Sequence, residues 1–340
     1  MSRIVRRLAS CLVVVWAVVS LTFLVETMLP GDPGRLIAGA QARPADVARI
    51  REQLGLNRPL PVQYALFWKR LVHVGPGLKS QAPGSGHDTC VVVVPFGARA
   101  LHVDLGKSFQ VRQPVAAVIA TRVPRTVALA IAGVTTQLLF GLLVGVTAAA
   151  RRGSRWDRFL VGASLLGVSI PTFVIALLLQ YALAYRLRWL PLDGFGTSVG
   201  EHARCLVLPA LTLGLYGAPY YARLVRDEMS LLIRQDWVRT ARAKGLSRWG
   251  AIMRHAFRNA LTPVVTAVGL DLGTLMGGAI VTESVFRWPG LGDLSVKATL
   301  NRDGPVVLAC VIVTSTAIVA SNFVADLLCE KLDPKSDLSS

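Results

Sequence analysis

The chain has 340 residues, 53% of them hydrophobic, and a mean hydropathy of +0.51. It is too apolar for an ordinary soluble domain, and its charge-free runs exceed what a globular core helix needs, so a polytopic membrane protein is expected. A net charge of +17 would suggest nucleic acid in a soluble protein, but here the cations lie beside apolar runs, where topology and anionic lipid account for them and no nucleic acid is needed.

Leu8 to Val25 gives eighteen uncharged residues after Arg3, Arg6 and Arg7. At ~1.5 Å per residue this crosses a ~30 Å core only if Glu26 to Leu29 extend it. Residues 1–29 have the basic start and apolar run of a signal peptide without a small-residue cleavage site before Pro30, so they are read as a retained first span with a cytoplasmic amino terminus. Pro30-Gly-Asp-Pro33 then breaks the helix, and a polar, extracytoplasmic region runs to Arg122. Within it Ala45 to Leu54 and Val62 to Val72 read as short amphipathic helices, and Gly75 to His102 is Gly- and Pro-rich sequence around Val91 to Pro95, a strand or a loop.

Thr126 to Ala150 is a second span of twenty-five residues without charge, followed by an inner loop with Arg151, Arg152, Arg155 and Arg158. Phe159 to Tyr185 is the third span, broken by Pro171, and Arg186 to Arg204 returns outside. Cys205 to Ala222 is the fourth, with kinks expected at Pro209 and Pro219. Pro263 to Thr282 is the fifth, Glu283 to Gly304 an outer loop, Pro305 to Ala325 the sixth, and the carboxy-terminal tail is cytoplasmic. The short outer loops carry three basic residues each and the inner ones four and nine, which sets this orientation.

The nine belong to Arg223 to Pro263, with only Asp227, Glu228 and Asp236 against them. The punctuation reads helix, break, helix. Asp236 caps Trp237 to Lys244, Gly245 supplies a left-handed stop, and Ser247 caps Arg248 to Asn259. Trp237 and Ala241 recur at i, i+4 and give the first helix an apolar edge amid cations, suited to a groove on a protein partner. The plainer alternative is a basic loop of the kind any inner face carries.

Arg239-Thr-Ala-Arg-Ala-Lys-Gly-Leu-Ser followed by Arg254-His-Ala-Phe-Arg-Asn-Ala-Leu-Thr-Pro-Val-Val-Thr266 resembles the cytoplasmic EAA-motif loop of ATP-binding-cassette (ABC) importer permeases, in the form of the dipeptide, oligopeptide and nickel branch. Ala241 and Gly245 match the general pattern, while Arg239 and Thr240 replace its Glu and first Ala, a departure this branch itself shows. Pro-Gly-Asp-Pro33, Leu54-Gly-Leu-Asn-Arg-Pro-Leu-Pro-Val-Gln-Tyr64, Asp104-Leu-Gly-Lys-Ser108 with Pro114-Val115, Glu283-Ser-Val-Phe-Arg-Trp-Pro-Gly-Leu-Gly292, Asn301-Arg-Asp303, Asn322 with Asp326, and Asp333-Pro334 extend the resemblance over nearly the whole chain. Gly75 to His102 is an insertion relative to it, Gly304 stands where an aromatic is usual, and Lys335 replaces an Arg.

The resemblance implies an all-α membrane protein with six transmembrane helices, the type I ABC importer permease fold, of the first-permease, dipeptide permease B-like kind. Residues 1–29 are the tail and first span, 30–122 the extracytoplasmic loop, 123–330 a five-helix core holding the coupling loop 223–262, and 331–340 a cytoplasmic tail. It also implies that Asp236, Trp237, Arg239, Thr240, Ala241, Arg242, Ala243, Lys244, Gly245 and Leu246 couple to ATPase subunits. The implied partners are a second homologous permease, two ABC ATPases and an extracytoplasmic substrate-binding protein in the bacterial inner membrane. The implied cargo is di- or oligopeptides, with nickel chelates, glutathione or another small solute as alternatives.

No catalytic, cofactor or metal site is expected in the chain itself, with ATP bound by the partner subunits. Gly106-Lys107-Ser108 ends like a phosphate loop, but Leu101 stands where the first Gly belongs and no strand is expected to lead into it. His73, His87, Asp88, Cys90 and His102 match no metal-ligand spacing, and Cys11, Cys90, Cys205, Cys310 and Cys329 contain no C-x-x-C pair. Glu26 reads as an interfacial residue. Gly269, Gly273 and Gly277 share one face of the fifth span, for packing against a helix of this chain or against a partner permease and its pore. Asp271, the only ionisable residue deep in a span, either lines the translocation path or is bonded to hydroxyls. A secondary transporter driven by an ion gradient is the reading from another class. The single deep charge and the lack of evident inverted halves stand against it.

Overall fold

A computed structural model describes residues 3–28, 33–39, 41–76, 89–96, 99–277 and 279–332. Pro30, Gly31, Asp32, His87, Asp88 and the tail from Asp333 lie outside the described residues. The chain forms two compact units: Met1–Val123 with Leu294–Ser315, and Pro124–Asp293 with Thr316–Ser340.

In the first unit, α1 (Arg3–Met28) is followed by α2 (Pro33–Ala38), α3 (Pro44–Leu54) and α4 (Leu60–Leu71). Proline at the first turn starts α3 and α4, and Gly55, at φ +73°, closes α3 in the left-handed conformation. α1 and α4 meet through aromatics: Phe23 stacks on Phe67 at 4.9 Å and Ser20 Oγ bonds Tyr64 Oη at 2.7 Å. β1 (Val72–Pro76), β2 (Cys90–Phe96) and β3 (Arg99–Asp104) form an antiparallel sheet ordered β1-β3-β2. The chain is otherwise mostly helical, as expected, and of the two alternatives for the Val91–Pro95 run the strand is the one found, because β-branched valines pair readily in a sheet.

In chain order come α5 (Val115–Ala150), α6 (Arg155–Ser169), α7 (Thr172–Leu179) with a π-helical extension Gln180–Arg186, α8 (Val199–Leu232), α9 (Asp236–Ala243), α10 (Arg248–Ala251), a π segment Ile252–Phe257, α11 (Arg258–Met276), α12 (Ile280–Val285), α13 (Leu291–Leu300) and α14 (Gly304–Leu332). Among the described residues five helices are long and apolar enough to cross a membrane: 9–28, 115–150, 199–232, 258–276 and 304–328. The third expected span is not one helix. Ile170 is extended, with φ −84° and ψ 123°, as the residue before a proline prefers, and helix resumes only after Pro171. The outer segment after Thr282 is also largely helical, as α12 and α13, rather than loop.

The second unit is built on a close approach of α5 and α8. A Cβ placed on Gly145 would come within 2.7 Å of Ala222 O, and one on Gly141 within 3.1 Å of Ala218 O. Small residues there let the backbones touch, the usual device of membrane helices. Tyr221, Val225 and Met229 of α8, all fully buried, join Val146, Ile252, Ala260, Val264 and Ala267 in one apolar cluster.

Candidate coupling knob and translocation cavity

α9 is a short, strongly two-faced helix. Val238 and Ala241 point inward at 2% and 8% exposure, while Trp237 is 41% exposed. The inward edge is thus i, i+3 from Val238, and Trp237 lies on the outer surface instead of pairing with Ala241. Asp236 is also not the cap. Gln235 is the extended residue before the helix, no side chain caps it, and Asp236 sits in the first turn, 3.6 Å from the Arg239 guanidinium. Both members of that pair are exposed, so it contributes little.

The far end matches the expected punctuation. Gly245 has φ +93°, its amide donates to Arg242 O at 3.0 Å, and Leu246 N donates to Ala241 O at 3.3 Å, the paired bonds of a left-handed helix stop. Ser247 Oγ then accepts from Gly250 N at 3.1 Å and its carbonyl from Ala251 N at 2.9 Å. Of the ten residues assigned to coupling, Asp236, Trp237, Arg239, Thr240, Arg242, Ala243, Lys244 and Gly245 are exposed, Leu246 is half-buried and Ala241 is buried.

A second anchor on this part of the unit involves the loop between α5 and α6. Asp157 receives Arg226 in a two-point contact, Nε to Oδ1 at 2.7 Å and Nη2 to Oδ2 at 3.1 Å, and Gly153 N donates to Oδ2 at 2.9 Å. The Arg226 hydrogen bond, first, and the Gly153 amide hold the Asp157 carboxyl below the usual carboxylate range against its burial. Sequence reasoning counted Arg226 only as loop charge and did not single out Asp157.

Asp271 lies on α11 and accepts a hydrogen bond from Tyr221 Oη at 2.9 Å. It also lines a cavity of about 420 Å³ together with Gln137, Tyr216, Tyr220 and Thr274. Asp271 is thus bonded to a hydroxyl, as one of its two readings expects, and also borders a cavity. Gly269, Gly273 and Gly277 face α14 of the same chain: a Cβ on Gly269 would strike Ala325, and one on Gly273 would stand 3.3 Å from Ile318 Cα and O.

Sequence reasoning did not single out two buried carboxylates. Glu283 is fully buried, with Oε1 accepting from Thr126 Oγ1 at 3.1 Å and Oε2 from Asp293 N at 2.9 Å. Thr126 Oγ1 in turn accepts from Leu291 N at 2.8 Å. Burial pushes the Glu283 carboxyl up despite these donors. A side chain on Gly290 would collide with it, so the Pro-Gly-Leu-Gly motif makes room for a carboxylate at the start of α13.

Asp303 is the other. It accepts from Ser108 Oγ at 2.5 Å and from Phe109 N at 3.0 Å, while its carbonyl accepts from Val306 N at 3.0 Å in the first turn of α14. Gly304 lies close to the Glu26 carboxyl, since a Cβ there would stand 3.0 Å from Glu26 Oε2. Glu26, read as interfacial, therefore packs on the start of α14. β3 does lead into Gly106-Lys107-Ser108, against expectation, but Ser108 is occupied with Asp303. His73, His102 and Cys90 come together on the sheet, with Cys90 Sγ 3.8 Å from His73 Nε2 and the His rings stacked at 5.6 Å. Among the described residues no group of three or more His, Cys, Asp or Glu is placed to hold a metal ion.

Long apolar helices packed through glycine, a half-buried carboxylate on a cavity and an exposed basic knob define a multi-pass membrane permease. Residues 141–337 match the model of the family described as binding-protein-dependent transport system inner membrane component, and residues 1–130 match its N-terminal companion. The chain belongs to that family. It is 38% identical over 98% of both chains to a Brucella abortus (strain 2308) protein that carries the name of a peptide transport system permease protein. It is also 37% identical, over 97% of both chains, to the glutathione transport system permease protein of Salmonella paratyphi A. Among solved structures, a chain of the inward-facing MetNI methionine ABC transporter superposes with a TM-score of 0.54 at 20% identity, over 65% of this chain and 98% of that one. That likeness shows the type I ABC importer permease fold.

Proposed function

We propose that the chain is one half of the pore of an ATP-driven importer of short peptides, with a second homologous permease as the other half. Two ABC ATPase subunits bind ATP and receive the α9 knob, and an extracytoplasmic binding protein delivers the solute. Both termini and the knob face the cytoplasm, and α6 with α7 together make the third of six crossings. The full-length relatives named for peptide and glutathione transport support the cargo class, since glutathione is itself a tripeptide.

The observation that carries the coupling role is the exposed, basic outer face of α9, which ends at a left-handed glycine stop and is followed from Arg248 by unbroken helix into α11. A cation-studded helix with a buried inner edge offers a rigid plug for a groove on another protein. Cysteine at Arg242, paired with cysteines around the presumed ATPase cleft, tests it in the co-expressed complex. Cross-linking that changes with nucleotide, together with loss of ATP-driven uptake when the link is closed, supports the reading. Efficient uptake with the link locked would refute it.

A further inference from the structure

We propose that the cavity at Asp271 recognises a primary ammonium group, the amino terminus of a peptide in transit; this deepens the permease reading above and rests on it. The cavity is lined from α5, α7, α8, α11 and α12, and Asp271 is its one charged residue among the described lining. Tyr221 Oη fastens the carboxylate through Oδ2, which orients it without neutralising it. An ionised carboxylate has about four acceptor positions, so one phenol leaves capacity for further donors.

A second observation points to a missing donor. Gln137 is 4% exposed; its Nε2 donates to Leu213 O at 3.3 Å, and its Oε1 has no hydrogen-bond partner. The opposite assignment of the amide would set two oxygens against each other, so the orphan is an acceptor. A buried acceptor without a donor is costly, and it belongs to a residue that lines the same cavity as Asp271.

Thr274 commits its proton to Leu270 O at 3.0 Å and so presents lone pairs, while Tyr216 and Tyr220 add aromatic side chains to the lining. The Asp271 carboxylate, the Gln137 oxygen and the Thr274 oxygen all accept, the Thr172, Tyr216 and Tyr220 hydroxyls can accept as well as donate, and no Lys, Arg or His is among the described lining. An ammonium group, with three donors and one charge, fits that set, whereas a peptide's carboxylate end would be repelled by Asp271. Calcium or magnesium would require six or more oxygen ligands in a defined shell, more than one carboxylate and one amide supply.

The test uses the complete transporter in nanodiscs without its binding protein, and compares direct binding of trialanine and N-acetyl-trialanine. The wild type should prefer the free amine by about tenfold or more, the scale of a charge-assisted hydrogen bond. Asp271→Asn keeps an acceptor for Tyr221 and should bring the preference to about one. Asp271→Glu should restore most of it, and Gln137→Met should lower it part-way. Equal binding of the two peptides by the wild type, no binding of trialanine, or a preference that survives Asp271→Asn overturns the site.

ATP-driven uptake in proteoliposomes with the binding protein is read separately. Uptake without an amine preference removes the ammonium site and leaves the permease. An amine preference without ATP-driven uptake leaves the site and removes the importer reading.

Discussion

Substituting Gly245 perturbs the knob through its backbone alone. The residue sits at φ +93°, and a Cβ there would meet nothing within 4 Å. Alanine is therefore penalised only by the left-handed conformation, roughly 1–2 kcal/mol, and a β-branched residue by more. On the other side of the balance, α9 has eight residues, too few to be stable alone. What fixes it is the burial of Val238 and Ala241, about 1.5–3 kcal/mol for the valine. The penalty is comparable to the anchorage, so the ratio of docked to frayed knob should fall about 5- to 30-fold.

A series of Gly245→Asn, Gly245→Ala and Gly245→Val, assayed by ATPase-subunit retention on purification and by ATP-driven uptake in proteoliposomes, should decline in that order. Asparagine leads because it tolerates left-handed backbone. Normal coupling in Gly245→Val would refute the claim that the stop holds the knob in place. A loss in Gly245→Asn as deep as in Gly245→Val would show that a partner surface, not conformation, excludes the side chain.

Three other perturbations follow from the packing. Because Arg226 holds the Asp157 carboxyl low, that pair's stabilisation is complete above the unfolded value of about pH 4 and is lost as pH falls through the lower folded value. Asp157→Asn should flatten this acid limb and cost about 1–3 kcal/mol at neutral pH, less than a fully buried pair because the Arg226 side chain stays 21% exposed; melts that remain parallel down the acid range would contradict this. Glu283→Ala strips the acceptor from Thr126 Oγ1 and Asp293 N in a closed site and should cost about 2–4 kcal/mol by thermal denaturation, with Glu283→Gln costing less. Gly273→Leu, facing Ile318 backbone at 3.3 Å, should lower the melting temperature and expression by overpacking worth about 1–3 kcal/mol or more; a stable protein with normal uptake would mean that α11 and α14 are not in contact there.

Local chemistry made much of the fold legible. Proline and glycine marked the ends of α3, α4 and α9, and uncharged length marked α1, α5 and α14. The errors share a cause. α5 begins at Val115, well before the charge-free run at Thr126, because Arg122 and Arg125 do not stop a helix as they stop a hydropathy window. The inner edge of α9 was misjudged because eight residues contain too few turns for periodicity to choose between Trp237 and Val238. The buried networks were invisible for another reason: Thr126 and Glu283 are 157 positions apart and Ser108 and Asp303 are 195, and no local pattern reports a partner at that distance. Gln137 carried a readable signal, an amide within an otherwise apolar span, but its orphaned oxygen needed coordinates.

The placement of Asp271 and Gly245 on one piece of backbone gives the knob its meaning. From Arg248 to Met276 the chain is helical without interruption, and the 23 residue steps from Arg248 to Asp271 correspond to about 35 Å, the scale of the ~30 Å hydrocarbon core. α11 is held on one side by α14 against Gly269 and Gly273, and on another by Tyr221 of α8 through Asp271. Contacts through glycine present little side-chain relief to interlock, so the helix can shift along α14 at low cost. The tyrosine–carboxylate bond instead has a definite made and broken state. The six π residues Ile252–Phe257 lie where knob meets span, with Ile252 and Ala256 buried, and such widened turns are where helices absorb a change of direction. In the importer proposed above, a push on α9 would pass the break at residues 244–247 and travel along this helix to Asp271, the one charged residue among the described cavity lining.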